Sequence, residues 1–400
     1  MTSISFNKPF TQQEAISPEA IEDAIRVLQS GRLHRYNVID GETGEAAVLE
    51  SAYAAYQGSE YCLATASGGT AIQIALRAVG VCAGDEVLTN AFTLAPVPGA
   101  IAAVGARPVF VETTENLTID LDDLAEKLQD TSAKYLLLSH MRGHLTDMEA
   151  LLVVLKKFGT ILIEDCAHTM GAAWNSVKSG NFGSVACFST QTYKHINSGE
   201  GGLLTTNDPE IMAKATMLSG SYMLFEKHLS CPDKSVFESI RFETPNCSSR
   251  MDNLRAAILL PQLRGLDKSV DRWNRRYKII EQQLLQSNYA QVPIRPPQES
   301  YVGSSFQFLI PLCSEQICLE LLEAWRRRGV ELKWFGSANP VGFTSRYDSW
   351  TYAQTQSLPR TLDILQRVMD VRIPLSFSHD DCELIAQIIV EELSNTLKAR

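Results

Sequence analysis

Residues 187–206 read CFSTQTYKHINSGEGGLLTT. A short apolar run ends near Ser189. A single amine follows at Lys194, and a Gly-Glu-Gly-Gly turn leads into a second apolar run. A lysine beside such a loop is ordinarily a solvated surface group. Whether this one is more depends on the chain around it.

Moving outward, the pattern repeats. Between residues 61 and 207 the runs YCLATA, EVLT, RPVFVE, KYLLLSH, TILIEDC, SVACFST and GGLLTT alternate with segments of helical periodicity, as in 70–79, 147–158 and 209–218. Short buried strands alternating with helices predict an α/β fold, a mostly parallel sheet covered on both faces. Ligands of such sheets bind beyond the carboxyl ends of the strands, so the chemistry is expected in the loops that follow these runs.

The 400 residues divide, on this reading, into four parts. Residues 1–60 form an arm with one helix, started by Ser17-Pro18-Glu19. Residues 61–250 form a large domain, within which 221–245 is irregular. Residues 251–285 form a long linking helix. Residues 286–400 form a smaller α/β domain, entered through the Pro-rich VPIRPPQ, with SSFQFLI and VELKW as strands and 316–328 and 380–397 as helices. A net charge of −10 argues against nucleic acid or an anionic membrane as the main partner. Nine cysteines without CxxC spacing read as reduced thiols, and no signal peptide or spanning run is visible, so a cytoplasmic protein is expected.

Three elements carry candidate chemistry. ASGGTAIQIAL (66–76) follows a strand and opens a helix, where Gly68 and Gly69 let backbone N–H groups approach a phosphate and Ser67 and Thr70 add hydroxyls. It is equally the pattern of a plain capped turn, and it is neither a Walker loop nor GxGxxG. TILIEDCAHTMG (160–171) ends an apolar strand on Glu164 and Asp165. There a carboxylate either caps the next segment or holds a cationic ring nitrogen, and His168 follows three residues on. Lys194 then stands about thirty residues later, where an amine of lowered pKa can bond an aldehyde. Phosphate turn, buried Asp and Lys, in that order, match the three contacts that pyridoxal phosphate requires.

With those motifs, and with HMRGHLTDMEAL (140–151) and SRMDNLRAAILLPQL (249–263), residues 30–265 resemble the DegT/DnrJ/EryC1/StrS group of sugar aminotransferases, within fold-type I pyridoxal-phosphate enzymes. The resemblance implies that Lys194 bonds the cofactor aldehyde and moves protons, and that Asp165 pairs with the ring nitrogen. It sets His168 near the ring, and Ser189, Gly68, Gly69 and Thr70 at the phosphate. Leu94 stands where the family commonly stacks an aromatic residue on the ring. Ser248 stands where the family has an Asn that reaches the phosphate across a dimer interface. Glu200 is expected to be structural.

The implied activity is transfer of an amino group from an amino acid, usually glutamate, to a keto- or aldehydo-sugar or sugar acid, by a ping-pong scheme in a homodimer with shared sites. No metal is implied. Arg35, Tyr36, Arg142, His195, Trp334 and Phe335 are candidate substrate contacts. Two alternatives stand beside this reading. One is another pyridoxal-phosphate reaction, such as dehydration, elimination or cyclisation of an amino acid. The other is a non-catalytic regulatory relative.

Overall fold

The computed structural model describes residues 4–311 and 313–398. Helix α1 (Pro18–Ser30) begins at the expected cap, with the Ser17 hydroxyl accepting from the Ala20 amide. A second helix, α2 (Glu45–Gln57), corrects the expectation of one helix before residue 60. It is rich in alanine and buried on several sides, with Ala46, Leu49, Glu50, Tyr53 and Gln57 all enclosed, so it shows no clean polar stripe to read.

Each of the seven apolar runs is a strand. They are β1 (Tyr61–Thr65), β2 (Glu86–Asn90), β3 (Arg107–Val111), β4 (Tyr135–Ser139), β5 (Ile161–Asp165), then, after the short pair β6 (Ala173–Trp174) and β7 (Val177–Lys178), β8 (Val185–Ser189) and β9 (Gly202–Thr206). They form one sheet in the order β1-β9-β8-β5-β4-β2-β3, in which β9 runs antiparallel to both neighbours and the rest are parallel. Alternate side chains enter two cores. Leu63, Val87, Leu137, Ile163 and Leu204 pack under α3 (Gly68–Ala78), α4 (Pro96–Ala103) and, further along the chain, α7 (Pro209–Ser219). Leu88, Leu136, Leu138 and Leu162 face the opposite side, with α5 (Leu121–Asp130) and α6 (Met148–Phe158). Each such aliphatic side chain contributes about 1.5–3 kcal/mol by leaving water.

Segment 221–245 is largely irregular as expected, with a 3-10 turn (Phe225–Lys227), one short α-helix, α8 (Lys234–Glu238), and Phe225 stacked on Phe237. The expected linking helix is two helices, α9 (Asn253–Arg264) and α10 (Leu266–Leu284), meeting at Gly265. Helix α9 packs on α1 and α2, whereas α10 packs on the C-terminal helix α13 (His379–Lys398). Each half follows a different surface.

The last part of the chain adds β10 (Glu299–Ser300), β11 (Ser305–Leu309), α11 (Glu315–Arg327), β12 (Leu332–Trp334), α12 (Pro359–Arg367) and β13 (Val368–Arg372). Strands β11, β13 and β12 form an antiparallel sheet in that order. Its two faces differ. Phe306, Phe308, Trp334, Met369 and Val371 enter an apolar core with Trp325 and Ile385. Ser305, Gln307, Lys333, Asp370 and Arg372 share the other face by register.

Cys313 and Cys318 are joined by a disulfide, which corrects the expectation of nine reduced thiols. Cys318 lies in the first turns of α11, and its backbone is near enough to Cys313 for their sulfurs to meet. The other seven cysteines are free. Among the described residues, no helix is long and apolar enough to cross a membrane.

Candidate active site

The parallel strands end along one edge of the large sheet, and the loops after them wall a cavity of about 430 Å³. After β1, Ser67 caps α3, its hydroxyl accepting from the Thr70 amide, so Gly68 and Gly69 present the first turn of the helix to the cavity. Such a turn offers unpaired N–H groups and a partial positive charge to an anion. Gly68 is required there, because a Cβ would lie 2.8 Å from Cβ of Ser189 at the end of β8. Gly202, at the start of β9, is held the same way, since its Cβ would meet the Ser67 carbonyl oxygen at 2.4 Å. Thr70 is not in the cavity wall. Its hydroxyl bonds Ser67 at 2.8 Å.

After β5 come two carboxylates with different roles. Glu164 is fully buried and accepts from the amides of Gly180, Phe182 and Gly183, with His140 at 3.0 Å, so it anchors the turn before β8. Asp165, the next residue, points the other way and lines the cavity. Ser139, at the end of β4, donates to it at 2.9 Å, and the Ala167 amide donates at 3.1 Å. Period-2 alternation separates the structural carboxylate from the one free to meet a ligand.

Lys194 lies in the loop after β8, with Nζ 2.8 Å from His168 Nε2. Burial pushes its ammonium down to about 7. Asp165 opposes that shift, and the cations of Arg142, Arg372 and Lys333 add to it. Burial, then Lys194 and Arg142, hold the His168 ring well below its usual range, so it is neutral. A neutral imidazole has one N–H. Nδ1 accepts from the Arg142 amide at 3.3 Å, so the proton sits on Nε2 and donates to Lys194. Only an unprotonated amine can accept it. Arg142 holds a left-handed conformation, φ 55°, in presenting that amide, at a cost of about 1–2 kcal/mol. The free amine, the nucleophilic form, is thus accessible to Lys194 near neutral pH.

Leu94 lines the cavity in the loop after β2. Phe92 does not. It packs edge-on against Phe335. Arg142 also lines the cavity, with its guanidinium 2.8 Å from Asp370. The remaining candidate contacts do not line this cavity in the chain itself. Arg35 is buried in a bidentate pair with Glu50 at 2.8 and 2.7 Å, and Tyr36 bonds His228, so their polar groups are engaged in a network away from the cavity. His195 sits behind Ser304, bonded to its hydroxyl at 3.1 Å and edge-on to Trp273, and burial pushes its ring down to about 3. Trp334 faces the apolar core and donates to the Gln366 carbonyl. Ser248 is exposed, with φ 50°, and bonds Asn246 rather than any group of the cavity. Glu200 is exposed at the cavity mouth.

Sequence reasoning missed the opposite wall. Lys333 and Arg372 line the cavity from the polar face of the small sheet, with Ser304 and Ser305. Arg372 lies 3.7 Å over the Tyr193 ring, beside Lys194. A lysine and an arginine inside short apolar strands, LKW and VMDVR, were the available signal.

The arrangement offers an anion-binding helix start, a carboxylate fixed by two donors, and between them a free amine with a neutral histidine. Comparison with known proteins shows the family. The DegT/DnrJ/EryC1/StrS aminotransferase family model matches residues 14–390. The chain is 34% identical over 237 residues to the GDP-perosamine synthase of Caulobacter vibrioides, covering 59% of this chain and 61% of that protein. It is 30% identical over 291 residues to a pleiotropic regulatory protein of Geobacillus stearothermophilus, covering 72% of each. The fold superposes on DesV of S. venezuelae, solved in complex with a ketimine intermediate, with a TM-score of 0.78 and 26% identity over 94% of both chains.

Proposed function

Because the chain belongs to the DegT/DnrJ/EryC1/StrS aminotransferase family, we propose that it is a pyridoxal-phosphate enzyme carrying an amino group from an amino acid, glutamate first among them, to a keto- or aldehydo-sugar or sugar acid. The observation that carries this is Lys194, a cavity amine whose ammonium is brought down to about 7 by burial, lining the same cavity as Asp165 and the start of α3.

The donor set fits the cofactor. The α3 start, with Ser67 and the Ser189 hydroxyl, forms a phosphate cradle closed by the Gly68 contact. Asp165, oriented by Ser139 and Ala167, presents a carboxylate to a protonated ring nitrogen. Leu94 offers an apolar surface to a ring face. Bound there, pyridoxal phosphate supplies an aldehyde and an electron-withdrawing ring. Lys194 Nζ would be the amine that holds the aldehyde between turnovers and, once displaced by the donor, the base placed to move a proton at the donor's α-carbon. His168 Nε2–H orients that amine.

A cytoplasmic homodimer is the proposed assembly. Exposed Tyr222, Met223, Leu229 and Phe242 on segment 221–245, with Ile21, Ile25 and Leu28 on α1, support a buried partner surface. Ser248, exposed nearby, would then face the partner's phosphate site. The test is glutamate added to cofactor-loaded protein. The visible cofactor absorption should be lost and 2-oxoglutarate released. An unchanged spectrum with every amino acid tried, and no 2-oxo acid formed, overturns the proposal.

A further inference from the structure

Two residues outside the cavity hold the turn that governs the contact between His168 and Lys194. The turn is 140–145, between β4 and α6. Arg142 and Gly143 within it are both left-handed, with φ 55° and 80°. A non-glycine residue persists in that region only where its surroundings over-determine it. The fit is close, since a Cβ on Gly143 would lie 3.1 Å from the His168 carbonyl oxygen. Two side chains grip the turn on either side of His144. The Gly143 carbonyl accepts from Arg295 Nη1 at 2.6 Å, and the Leu145 amide donates to Glu299 Oε1 at 3.1 Å. Just before them in the chain, the Arg142 amide donates to His168 Nδ1 at 3.3 Å. Arg295 and Glu299 are themselves an ion pair at 2.7 Å, almost fully buried, with the guanidinium 4.9 Å over the Tyr301 ring. Among the described residues, neither lines the cavity. A buried ion pair is often no more stabilising than apolar side chains of the same volume, so stability alone does not account for it.

Taking Lys194 as the reactive amine of the aminotransferase reading, we propose that Arg295 and Glu299 are positioning residues: gripping residues 143–145, they aim the Arg142 amide at His168, and through the His168 tautomer they favour the free-amine form of Lys194. With the amide on Nδ1, the single ring proton of neutral His168 lies on Nε2. That N–H donates to a free amine and opposes an ammonium. Without the amide the ring proton is free to sit on Nδ1, and Nε2 then accepts from an ammonium. The clamp thus fixes the direction of one hydrogen bond to Lys194 and adds to the effect of burial. The other charged or titratable groups facing Lys194 are Asp165 after β5, the Arg142 guanidinium, His195, and Lys333 and Arg372 from the small sheet.

The test removes the pair as a pair. Arg295→Met combined with Glu299→Met leaves no unpaired buried charge and no change in local net charge. Full-length protein freed of cofactor is labelled with acetic anhydride across a pH series, and peptide mass spectrometry reads the extent at Lys194. The wild-type midpoint should lie at about 7. In the double variant it should move up by about half a unit to one unit, the scale of one hydrogen bond. Glu299→Gln is isosteric and spares the fold. Loss of a negative charge alone would lower its midpoint, whereas a loosened clamp raises it, by less than in the double variant. In a His168→Leu background, where no ring proton can be turned, the double variant should add no further shift. A midpoint that stays or falls in Glu299→Gln or in the folded double variant overturns the clamp. An equal shift in the His168→Leu background overturns it too, because the pair would then act by another route. The label reads the amine without cofactor or turnover. The clamp is therefore decided even if no amino transfer is found, and its failure leaves the aminotransferase reading intact.

Discussion

The two walls of the cavity are built on different principles. The large-sheet wall collects Gly68, Leu94, Asp165, Ser189 and Lys194, each in or beside the loop after a strand. The small-sheet wall presents Ser305, Lys333 and Arg372 from within strands, on alternate positions of an antiparallel sheet. The first wall suits a molecule that must be gripped at three fixed points. The second sets a charge pattern that a changing ligand meets. A clean division follows. Damage to the first wall should cost the cofactor, and damage to the second should alter which substrates are accepted.

The sharpest test of that division is Lys194→Ala. Borohydride reduction of the cofactor-loaded variant should trap no cofactor, and turnover should fall by about 10²–10⁴-fold or more. Trapping on another lysine, found by peptide mass spectrometry, would move the reactive amine elsewhere. Next comes Asp165→Asn, which keeps the shape and removes the charge. Ser139 and the Ala167 amide then face a side chain that no longer pairs with a cationic ring. Cofactor affinity should fall about 10- to 100-fold, the range for a hydrogen bond to a charged group, with acceptor preference unchanged. An altered preference with full affinity would contradict the division.

The same division explains how much was legible. All seven strands of the large sheet were visible because each is a short apolar run, and the site residues beyond them came in motif order. Helix α2 was hidden because burial on several sides erases periodicity. Gly265 hid as well, since one glycine in a helical pattern does not by itself mark a break, and α9 and α10 together show one long run. Lys333 and Arg372 were hidden for a different reason. Their importance comes from facing a second sheet, and no local pattern states which face of β12 or β13 meets another part of the chain. Arg35 and Tyr36 misled in the opposite way. Their polar groups suggested substrate, but Glu50 lies in α2, the helix the sequence reading lacked, and so their buried partner was invisible.

The smallest predicted effect probes an electrostatic link between the walls. Lys194 is a base whose protonation midpoint lies at about 7, far below the ordinary lysine value, and the Lys333 cation is one of the lesser causes. Below that midpoint the ammonium cannot attack an aldehyde, and above it the free amine can. Capture of pyridoxal phosphate by apoprotein should therefore rise with pH through about 7 and then level off. Lys333→Met removes a positive neighbour, which makes the Lys194 ammonium easier to keep. Its midpoint should move up, by less than about one unit, since burial is the larger cause and remains. At pH 7 the variant should thus capture cofactor more slowly, and at high pH as fast as wild type. High salt suppresses the long-range attraction of the phosphate to the wall, which would otherwise mimic the change. A midpoint that does not move separates the two walls completely. A lower plateau at high salt would mean that the small sheet helps to hold the cofactor itself, and the division between grip and selection would fail.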